Sequence, residues 1–288
     1  MKRVGGYCLN MTKYSSKSAH VARAFYMMLR LAYLGDGLSA KFSLFWFLFI
    51  SRLSHSAKSV SKTFSIRVCG APLQVSVRNN FADPYVLYEA FVSRDYDRGL
   101  PPASPNVIFD VGANVGYITL YLKTKYPDAR IFCFEPDPDT FAQLTINTKR
   151  YADVVCLPWA LGARNGKRTF YRSKTFHMRN SLINNANNEK IDVDGKTFDE
   201  ALEYTDTKHV DLLKIDIEGG EMELFEAYFP FEKVSHIVGE MHPYLWPAES
   251  YECLLILLRR HFTLSLCQDG KKIFFAGQSK EKDVTVNV

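Results

Sequence analysis

One segment, residues 107–116 with the sequence VIFDVGANVG, constrains the fold of this 288-residue chain more than any other. Three apolar residues that favour a β-strand lead through Asp110 into a turn with two glycines, and a helix-like segment follows at 117–123. This is the pattern of a buried parallel strand that feeds a tight loop at the N-terminus of a helix. Because glycine has no Cβ, the backbone of such a loop can approach a ligand closely. The segment therefore predicts a ligand-binding strand–loop–helix unit in an α/β fold.

The glycine loop differs from the dinucleotide-binding fingerprint G-x-G-x-x-G, since Asn114 takes the position of the second glycine. With Asp110 ahead of the first glycine, the loop resembles the S-adenosylmethionine loop of class I methyltransferases more than a pyrophosphate-binding loop. A second strand-like run, 129–134, ends at Glu135, nineteen residues after Gly116. An acid at that place can accept hydrogen bonds from both ribose hydroxyls of an adenosine ligand, and the alternative is that it only caps the next helix.

Strand-like and helix-like runs alternate along the rest of the main body. Strands are predicted at 64–68, 73–77, 153–157, 168–171, 210–216, 234–241, 263–267 and 272–275. Helices are predicted at 83–90, 197–202 and 251–260. The polar, Asn-rich segment 173–188 is predicted to form a loop over the cleft that shapes the substrate pocket. The alternation predicts an α/β fold of the Rossmann-like type, with a doubly wound, mostly parallel sheet and helices on both faces.

The charge of the chain divides it at residue 62. Residues 1–62 contain ten Lys or Arg and the single acid Asp36, a net charge of +9, whereas residues 63–288 carry a net charge of −4. We therefore predict a basic N-terminal extension, 1–62, ahead of a catalytic domain, 63–288, with a Ser- and Lys-rich linker at 51–62. Because the basic residues lie away from the predicted cleft, a nucleic-acid enzyme is not expected. The six cysteines are scattered without metal-binding spacing, which predicts no disulfide framework and a reducing, cytoplasmic location.

The N-terminal extension contains two helix-like pieces. The first is predicted to begin at a Ser18 cap and to end at Gly35. Its apolar face is predicted to comprise Val21, Phe25, Met28, Leu29 and Ala32. The second contains the apolar run 42–50, which is too short for a bilayer span of about 20 residues and starts too late for a secretory signal. Trp and Phe between basic flanks suit a helix in a membrane interface, so peripheral association is expected, with packing on the main domain and true spanning as alternatives.

Polar groups follow four of the predicted parallel strands. They are Asp110, Glu135, Asp216 with Glu218, and Glu240 with His242. Ligands of open α/β sheets bind outside the carboxyl ends of the strands. Strand interiors prefer apolar residues, so packing alone does not explain polar groups at four strand ends. The first two groups fit a cofactor, and the later ones are left for a substrate.

Taken together, these motifs resemble the FkbM-type methyltransferase family over about Thr63 to Phe275. In chain order, the resemblance is carried by Arg78 with Asp83, VIFDVGANVGYITL, FCFEPDP, the Trp159-Ala160-Leu161-Gly162 turn, Thr197-Phe198-Asp199-Glu200, DLLKIDIEGGE and Glu240-x-His242. The segment DLLKIDIEGGE, at 211–221, is the most specific to the family. There are two departures from the family pattern. Pro158-Trp159 stands where members often carry Asn near the adenine, and Phe198 replaces the usual Leu.

The resemblance implies S-adenosylmethionine as the cofactor and methylation of a hydroxyl on a sugar, glycan, glycolipid, polyketide or related metabolite. We assign to the cofactor the residues Asp110, Gly112, Ala113, Asn114, Gly116, Glu135, Pro136 and Ala160. Two roles stay open for Asp110: it lies near the amino group of the cofactor, or it braces the glycine loop. Lys214, inside a predicted buried strand, is expected to reach the strand end or to pair with an acid.

A sugar hydroxyl is a poor nucleophile at neutral pH, so a general base is expected at the substrate end of the cleft. His242 is the first candidate, with Glu240 to orient its ring, and Asp216 is the rival. The non-catalytic alternatives are that His242 caps a helix before Pro243 and that Asp216 caps the Gly219-Gly220 turn. A divalent ion held by Asp216, Glu240 and His242 is conceivable, but the sequence assigns no metal.

Two other functions fit parts of the sequence. A nicotinamide-dependent oxidoreductase fits a glycine loop and two Tyr-x-x-x-Lys matches, but Asn114 argues against it and both matches are predicted to lie on the surface. A non-catalytic, membrane-associated binding protein would carry the same fold, but the intact acids at the strand ends argue against it. The expected partners are a small-molecule, glycan or lipid-linked sugar acceptor and an anionic membrane surface at the N-terminal extension, and no nucleic acid.

Overall fold

A computed structural model of the protein describes residues 17–53, 60–172, 188–226, 228–269 and 272–280. The strands are β1 (Ser61–Val68), β2 (Ala71–Arg78), β3 (Val107–Val111), β4 (Arg130–Phe134), β5 (Val154–Leu157), β6 (Trp159–Leu161), β7 (Gly166–Arg172), β8 (Glu189–Lys196), β9 (Val210–Ile215), β10 (Val234–Met241), β11 (Phe262–Asp269) and β12 (Lys272–Ser279). The α-helices are α1 (Lys17–Tyr33), α2 (Leu38–Leu53), α3 (Asp83–Tyr88), α4 (Tyr117–Lys125), α5 (Pro138–Thr148), α6 (Phe198–Tyr204), α7 (Glu221–Glu226) and α8 (Ala248–His261). Most of the predicted substrate loop and the middle of the predicted linker lie outside the described residues.

A seven-stranded sheet forms the centre of the fold, in the order β11-β12-β10-β9-β3-β4-β5. Neighbouring strands from β10 to β5 pair in parallel, and β12 runs antiparallel to both of its neighbours. The chain passes from β3 outward to β4 and β5, then returns to β9 on the other side of β3. This reversal of strand order next to β3 creates the crevice in which open α/β sheets bind ligands. The predicted doubly wound, mostly parallel sheet is confirmed.

Helices cover both faces of the sheet because successive residues of β3 point to opposite sides. Ile108 belongs to a buried cluster that includes Leu120 of α4. Phe109, the next residue, belongs to a second cluster that includes Phe198 of α6 and Leu258 of α8. The unbroken apolar run of the strand therefore serves two separate cores.

The N-terminal helices α1 and α2 pack on the main body through one face each. Met27 and Leu31 of α1, and Leu44 and Leu48 of α2, belong to the same buried cluster as Ile66 of the β1–β2 hairpin. The inner faces of both helices thus pack on the main domain, which was one of the alternatives to membrane association. Among the described helices, none combines the length and the apolar character needed to cross a membrane.

The residues of the predicted apolar face of α1 divide between solvent and the core. Val21, Phe25 and Leu29 are exposed by 69%, 45% and 48%, whereas Met28 and Ala32 are buried. Apolar residues occur on several sides of this helix, so their spacing did not select one buried face. The helix also begins one residue before the predicted Ser18 cap and ends at Tyr33.

A three-stranded sheet in the order β6-β8-β7 follows the last parallel strand, and the sequence predicted only β7. Trp159–Leu161, predicted as a turn, forms β6 and pairs in parallel with β8. β8 has the sequence EKIDVDGK, in which only Val193 and Gly195 are buried. Its many charged residues leave no apolar alternation from which a strand could be predicted. The six-residue helix α7 was missed because it is too short to show a helical period.

A buried ion pair joins β2 to α3. Nη2 of Arg78 lies 2.7 Å from Oδ1 of Asp83, and the two side chains are exposed by only 9% and 1%. Oδ2 of Asp83 also accepts hydrogen bonds from the backbone N–H of Arg78 and from the hydroxyl of Tyr117 in α4. Asp83 therefore links three elements that pack beneath the glycine loop.

We expect Asp83→Ala to lower the free energy of unfolding by about 3–5 kcal/mol, because the substitution leaves the buried Arg78 guanidinium without its carboxylate. The control is Asp36→Ala, since the Asp36–Arg67 pair is exposed by 33% and 52%. Its loss should cost about 0–1 kcal/mol. Urea denaturation of both variants measures the difference, and equal losses would contradict the structural role of Asp83.

Candidate functional site

The glycine loop between β3 and α4 is fixed by close backbone approaches. Gly112 has φ of +76°, and a Cβ at this position would lie 1.8 Å from the carbonyl oxygen of Asp216. The N–H groups of Gly112 and Ala113 donate to the carbonyl oxygen of Phe134 at 3.0 and 3.1 Å. Asn114 follows in the left-handed region with φ of +52°. Only glycine fits at position 112, and the loop is tied to the ends of β4 and β9.

Asp110 and Lys214 form a buried ion pair beneath this loop. Nζ of Lys214 lies 2.9 Å from Oδ1 of Asp110 and donates to the carbonyl oxygen of Gly112 at 2.8 Å. The hydroxyl of Thr119 donates to Oδ2 of Asp110 at 2.7 Å. Asp110 is fully buried and does not line the cleft, so its geometry is that of a brace for the loop. The predicted pairing of Lys214 with an acid is confirmed.

Glu135, at the end of β4, lines the cleft beside the loop. Its Oε2 accepts from the backbone N–H of Asn114 at 3.0 Å, and its Oε1 accepts from the N–H of Asp137 at 2.9 Å. Burial raises the pKa of Glu135 to about 7, although both backbone donors and the Lys214 charge favour the ionised form. Each oxygen keeps a further lone pair, so the carboxylate can accept two more hydrogen bonds from the cleft.

The cleft lies outside the carboxyl ends of β3, β4 and β9 and encloses about 1030 Å³ of empty space, part of it open to solvent. One part is lined by the loop and by apolar groups at Gly112, Ala113, Asn114, Phe134, Pro136, Trp159, Ala160 and Leu161. The other part is lined by polar side chains at Glu89, Tyr96, Asp216, Glu218 and Lys272. Gly116 does not line the cleft; it has φ of +85° and starts α4.

His242 stands at the centre of a group of carboxylates. Its Nε2 lies 3.0 Å from Glu240, 3.4 Å from Glu218 and 3.9 Å from Asp216, and its Nδ1 lies 3.1 Å from Glu221. Burial lowers the pKa of His242, but the hydrogen bond with Glu221 and the nearby carboxylates of Glu240 and Glu218 outweigh it and raise this pKa to about 12. The imidazole is therefore protonated near neutral pH.

This placement bears on the predicted general base. His242 is fully buried and does not line the cleft, and a protonated imidazole cannot accept a proton. Asp216 does line the cleft, and its Oδ2 accepts a hydrogen bond from the hydroxyl of Tyr96 at 3.0 Å. Burial raises the pKa of Asp216, but Lys214 and His242 outweigh it, so the pKa is lowered and the carboxylate is ionised. The geometry favours Asp216 over His242 and Glu240 as the group that meets a substrate.

At the polar end of the cleft, three lining side chains were not found from the sequence: Glu89, Tyr96 and Lys272. Nζ of Lys272, in the antiparallel strand β12, lies 3.4 Å from Glu89 and 3.0 Å from Glu240. Glu89 and Tyr96 precede β3, in segments without a strand-end pattern. No local motif marks these positions, because only the folded sheet brings them beside Asp216.

The reversal of strand order, the glycine loop and the acid at the end of β4 define a Rossmann-like class I methyltransferase domain. The sequence profile of the methyltransferase FkbM domain matches residues 110–262, which is more than half of the chain. The protein therefore belongs to the FkbM methyltransferase family, and the cofactor of its domain is S-adenosylmethionine. The nicotinamide-dependent and non-catalytic alternatives are not supported.

Three curated relatives illustrate this membership. The chain is 30% identical over 165 residues to methyltransferase 1 of Beauveria bassiana. This match covers 50% of this chain and 66% of that protein. It is 30% identical over 141 residues to the hexuronic acid methyltransferase AglP of Haloferax volcanii, and this match covers 48% of this chain and 56% of AglP. It is 38% identical over 74 residues to the 31-O-demethyl-FK506 methyltransferase FkbM of Streptomyces tacrolimicus, with 25% and 28% covered. The matches span about two thirds or less of each relative.

We expect binding of the cofactor product S-adenosylhomocysteine to weaken about tenfold between pH 8 and pH 6, because Glu135 with a pKa of about 7 loses the charge that accepts the ribose hydroxyls. Calorimetric titration at several pH values measures this dependence. Glu135→Gln should bind weakly with a flat pH profile between these values. A variant with the same pH dependence as the wild type would show that another group titrates.

Proposed function

We propose that this protein is an S-adenosylmethionine-dependent O-methyltransferase that acts on a hydroxyl of a sugar, glycan, glycolipid or related metabolite. The observation that carries the proposal is the ionised side chain of Asp216, which lines the cleft directly after β9, at a residue whose backbone carbonyl lies against Gly112 of the glycine loop. When bound, S-adenosylmethionine supplies an electrophilic methyl group on a sulfonium. The residues of this chain then have to hold two molecules in line and accept one proton.

The described residues fit the cofactor at the loop end of the cleft. Glu135 offers two carboxylate oxygens to the ribose hydroxyls, and charge-assisted bonds of this kind contribute about 1.5–3 kcal/mol each. Gly112, Ala113 and Asn114 bring backbone close to the cleft, while Trp159 supplies a wide apolar wall. Trp159 thus takes the region where the family often carries Asn near the adenine.

The polar end of the cleft suits an acceptor with several hydroxyls. Glu89, Tyr96, Glu218 and Lys272 present both hydrogen-bond donors and acceptors to this end. Pockets gain specificity from a few placed polar groups of this kind. A hexuronic acid is the acceptor named for AglP, and the name of the Streptomyces relative gives an O-methylation. These two names support, for this chain, a hydroxyl on a sugar-like molecule.

Asp216 is placed to accept the proton of the reacting hydroxyl. Its Oδ2 is held by the Tyr96 hydroxyl, whose pKa is raised by burial and by the charge of Asp216, so this hydroxyl stays a donor. The Asp216 carboxylate, which lines the cleft, then takes up the proton of the acceptor hydroxyl as the new oxygen–carbon bond forms. Positioning of two reactants in line can supply about 7–11 kcal/mol of barrier reduction, and a base adds to it.

We expect Asp216→Asn to lower kcat by about 10²–10⁴-fold, because the amide keeps the shape of the side chain but accepts no proton. Transfer of a labelled methyl group to a panel of hexuronic acids and glycans measures the rate, and calorimetry measures S-adenosylhomocysteine binding. Binding should stay close to that of the wild type. The matched control is Asp206→Asn, an exposed aspartate outside the cleft. Equal methyl-transfer rates for the two variants would show that Asp216 is not the base. If the wild type does not bind S-adenosylhomocysteine, the proposed function is wrong.

A second proposal concerns the outer faces of α1 and α2. Four exposed apolar residues recur every four positions on α1, and four more do so on α2: Val21, Phe25, Leu29 and Tyr33, then Leu38, Phe42, Trp46 and Ile50. Residues at this spacing lie on one side of a helix. Phe25 and Phe45 connect the two helices in an edge contact with ring centroids 5.8 Å apart. We infer that this surface lies in the interface of an anionic membrane.

Basic residues accompany the apolar surface. Arg30 and Arg52 are exposed, and Lys41 lies 4.4 Å from the ring centroid of Tyr33. Basic side chains near an anionic surface contribute about 1 kcal/mol each, and the apolar side chains add burial energy. A helix that lies in a membrane interface needs both basic charge and buried apolar area, and α1 and α2 carry both.

We expect Phe42→Ser with Ile50→Ser to weaken partitioning onto anionic phosphatidylserine vesicles at least about tenfold, because burial of each side chain contributes about 1.5–3 kcal/mol. Vesicle co-sedimentation measures the partition coefficient. The control is Ile146→Ser with Ile256→Ser, which removes exposed apolar groups from the main body, 43% and 53% exposed. Equal partitioning of the two double variants, or none by the wild type, would contradict the membrane surface.

A further inference from the structure

A set of metal-ligating side chains meets at the wall of the cleft. Asp216, Glu218 and His242 each offer one ligand atom, and the three atoms lie within 4.8 Å of one another. Nε2 of His242 lies 3.4 Å from Oε2 of Glu218 and 3.9 Å from Oδ1 of Asp216. Two atoms that each lie about 2.0–2.2 Å from a shared ion are about 3–4.2 Å apart. The two separations are therefore those of ligands around one ion.

The imidazole of His242 provides an independent indication. Its side chain is fully buried, and Nε2 makes no hydrogen bond of acceptable geometry with any residue that the structure describes. A buried polar atom without a partner is costly, because it loses water and gains no replacement. Nε2 lies within 4 Å of the carboxylates of Asp216 and Glu218, so a cation among the three groups would supply the missing partner.

The other ring nitrogen is held as in metal sites. Nδ1 of His242 lies 3.1 Å from Oε1 of Glu221, and the side chain of Glu221 is fully buried. Histidines that bind a metal usually donate their second ring N–H to a carboxylate, which fixes the orientation and the tautomer of the ring. Glu221 thus holds the proton on Nδ1, and Nε2 is the nitrogen that can give up its proton and bind an ion.

We propose that Asp216, Glu218 and His242 bind one divalent cation, with Glu221 as the outer carboxylate that orients the imidazole. Two carboxylates and one imidazole suit Mn²⁺ or Zn²⁺, since oxygen ligands favour the first and imidazole the second. The ion takes the place of the proton on Nε2, as metal binding to histidine requires. The sequence assigned no metal, and the ligand set that it left conceivable had Glu240 in the place of Glu218.

Glu240 is not included among the metal ligands because it already pairs with Lys272. Its carboxylate lies 3.0 Å from Nζ of Lys272 and is exposed by only 3%, so a cation already neutralises it. Glu218, in contrast, lines the cleft together with Asp216. An ion held there adjoins the polar end of the cleft, where it can polarise an acceptor oxygen. This role rests on the proposed function, whereas ion binding itself does not.

Binding of Mn²⁺ to the chelator-treated full chain tests the site, with the electron paramagnetic resonance signal of free Mn²⁺ as the readout. The wild type should bind one Mn²⁺ per chain. Glu218→Gln and His242→Gln should weaken binding at least tenfold, and Glu221→Gln should weaken it about 10–100-fold. Glu252→Gln, an exposed acid on α8, is the matched control and should bind like the wild type.

Titration of the same samples with S-adenosylhomocysteine separates this inference from the proposed function. Glu218 lies in a loop at the cleft surface, so Glu218→Gln should fold and should bind the product like the wild type. If the wild type leaves the Mn²⁺ signal unchanged while it binds the product, the metal site is overturned and the proposed function stands. Mn²⁺ affinity that is equal in the wild type and in the Glu218→Gln and His242→Gln variants overturns the site as well.

Discussion

The ion pair between Asp110 and Lys214 holds the structure around the cleft together. The two residues stand directly opposite each other in the parallel pairing of β3 with β9, and both are buried. Loss of one partner from such a pair costs about 3–5 kcal/mol, because the other charge stays in a medium of low polarity. Lys214 also binds the carbonyl oxygen of Gly112, so the same pair sets the position of the glycine loop. The loop, in turn, packs at Gly112 against the backbone carbonyl of Asp216.

The wall of the cleft beyond this pair carries a cluster of acids around His242. Asp216, Glu218, Glu221 and Glu240 surround His242, with Lys272 as a further cation at the edge of the group. Burial of several carboxylates together is unfavourable unless cations or hydrogen bonds compensate for them. A protonated imidazole gives part of this compensation, and a divalent cation would give more. Asp216 and Glu218 line the polar end of the cleft and also lie near His242, so a change of charge in the wall would change the charge of the cleft.

The elements that the sequence predicted well are those with a strong local pattern. The short apolar runs of β3, β4 and β9 favour buried strands, and the glycine positions fix the loop because no other residue fits at Gly112. Recognition of the family, the fold and the cofactor followed from these segments. The β8 strand and the helix α7 were missed, because the first is rich in charged residues and the second is too short to show a period. The sequence also did not show which side of α1 is buried, because apolar residues occur on several sides of it.

By itself, the sequence determined which residues stand at the ends of the parallel strands, because strand direction and side-chain alternation are local properties of the chain. It left open which of these residues face the ligand. Only the tertiary structure placed Asp110 beneath the loop, enclosed His242 among carboxylates and brought Tyr96 and Lys272 to Asp216. These decisions depend on contacts between segments that lie up to 120 residues apart, as Tyr96 and Asp216 do. Burial and charge at such contacts are properties of the assembled sheet, and no single segment encodes them.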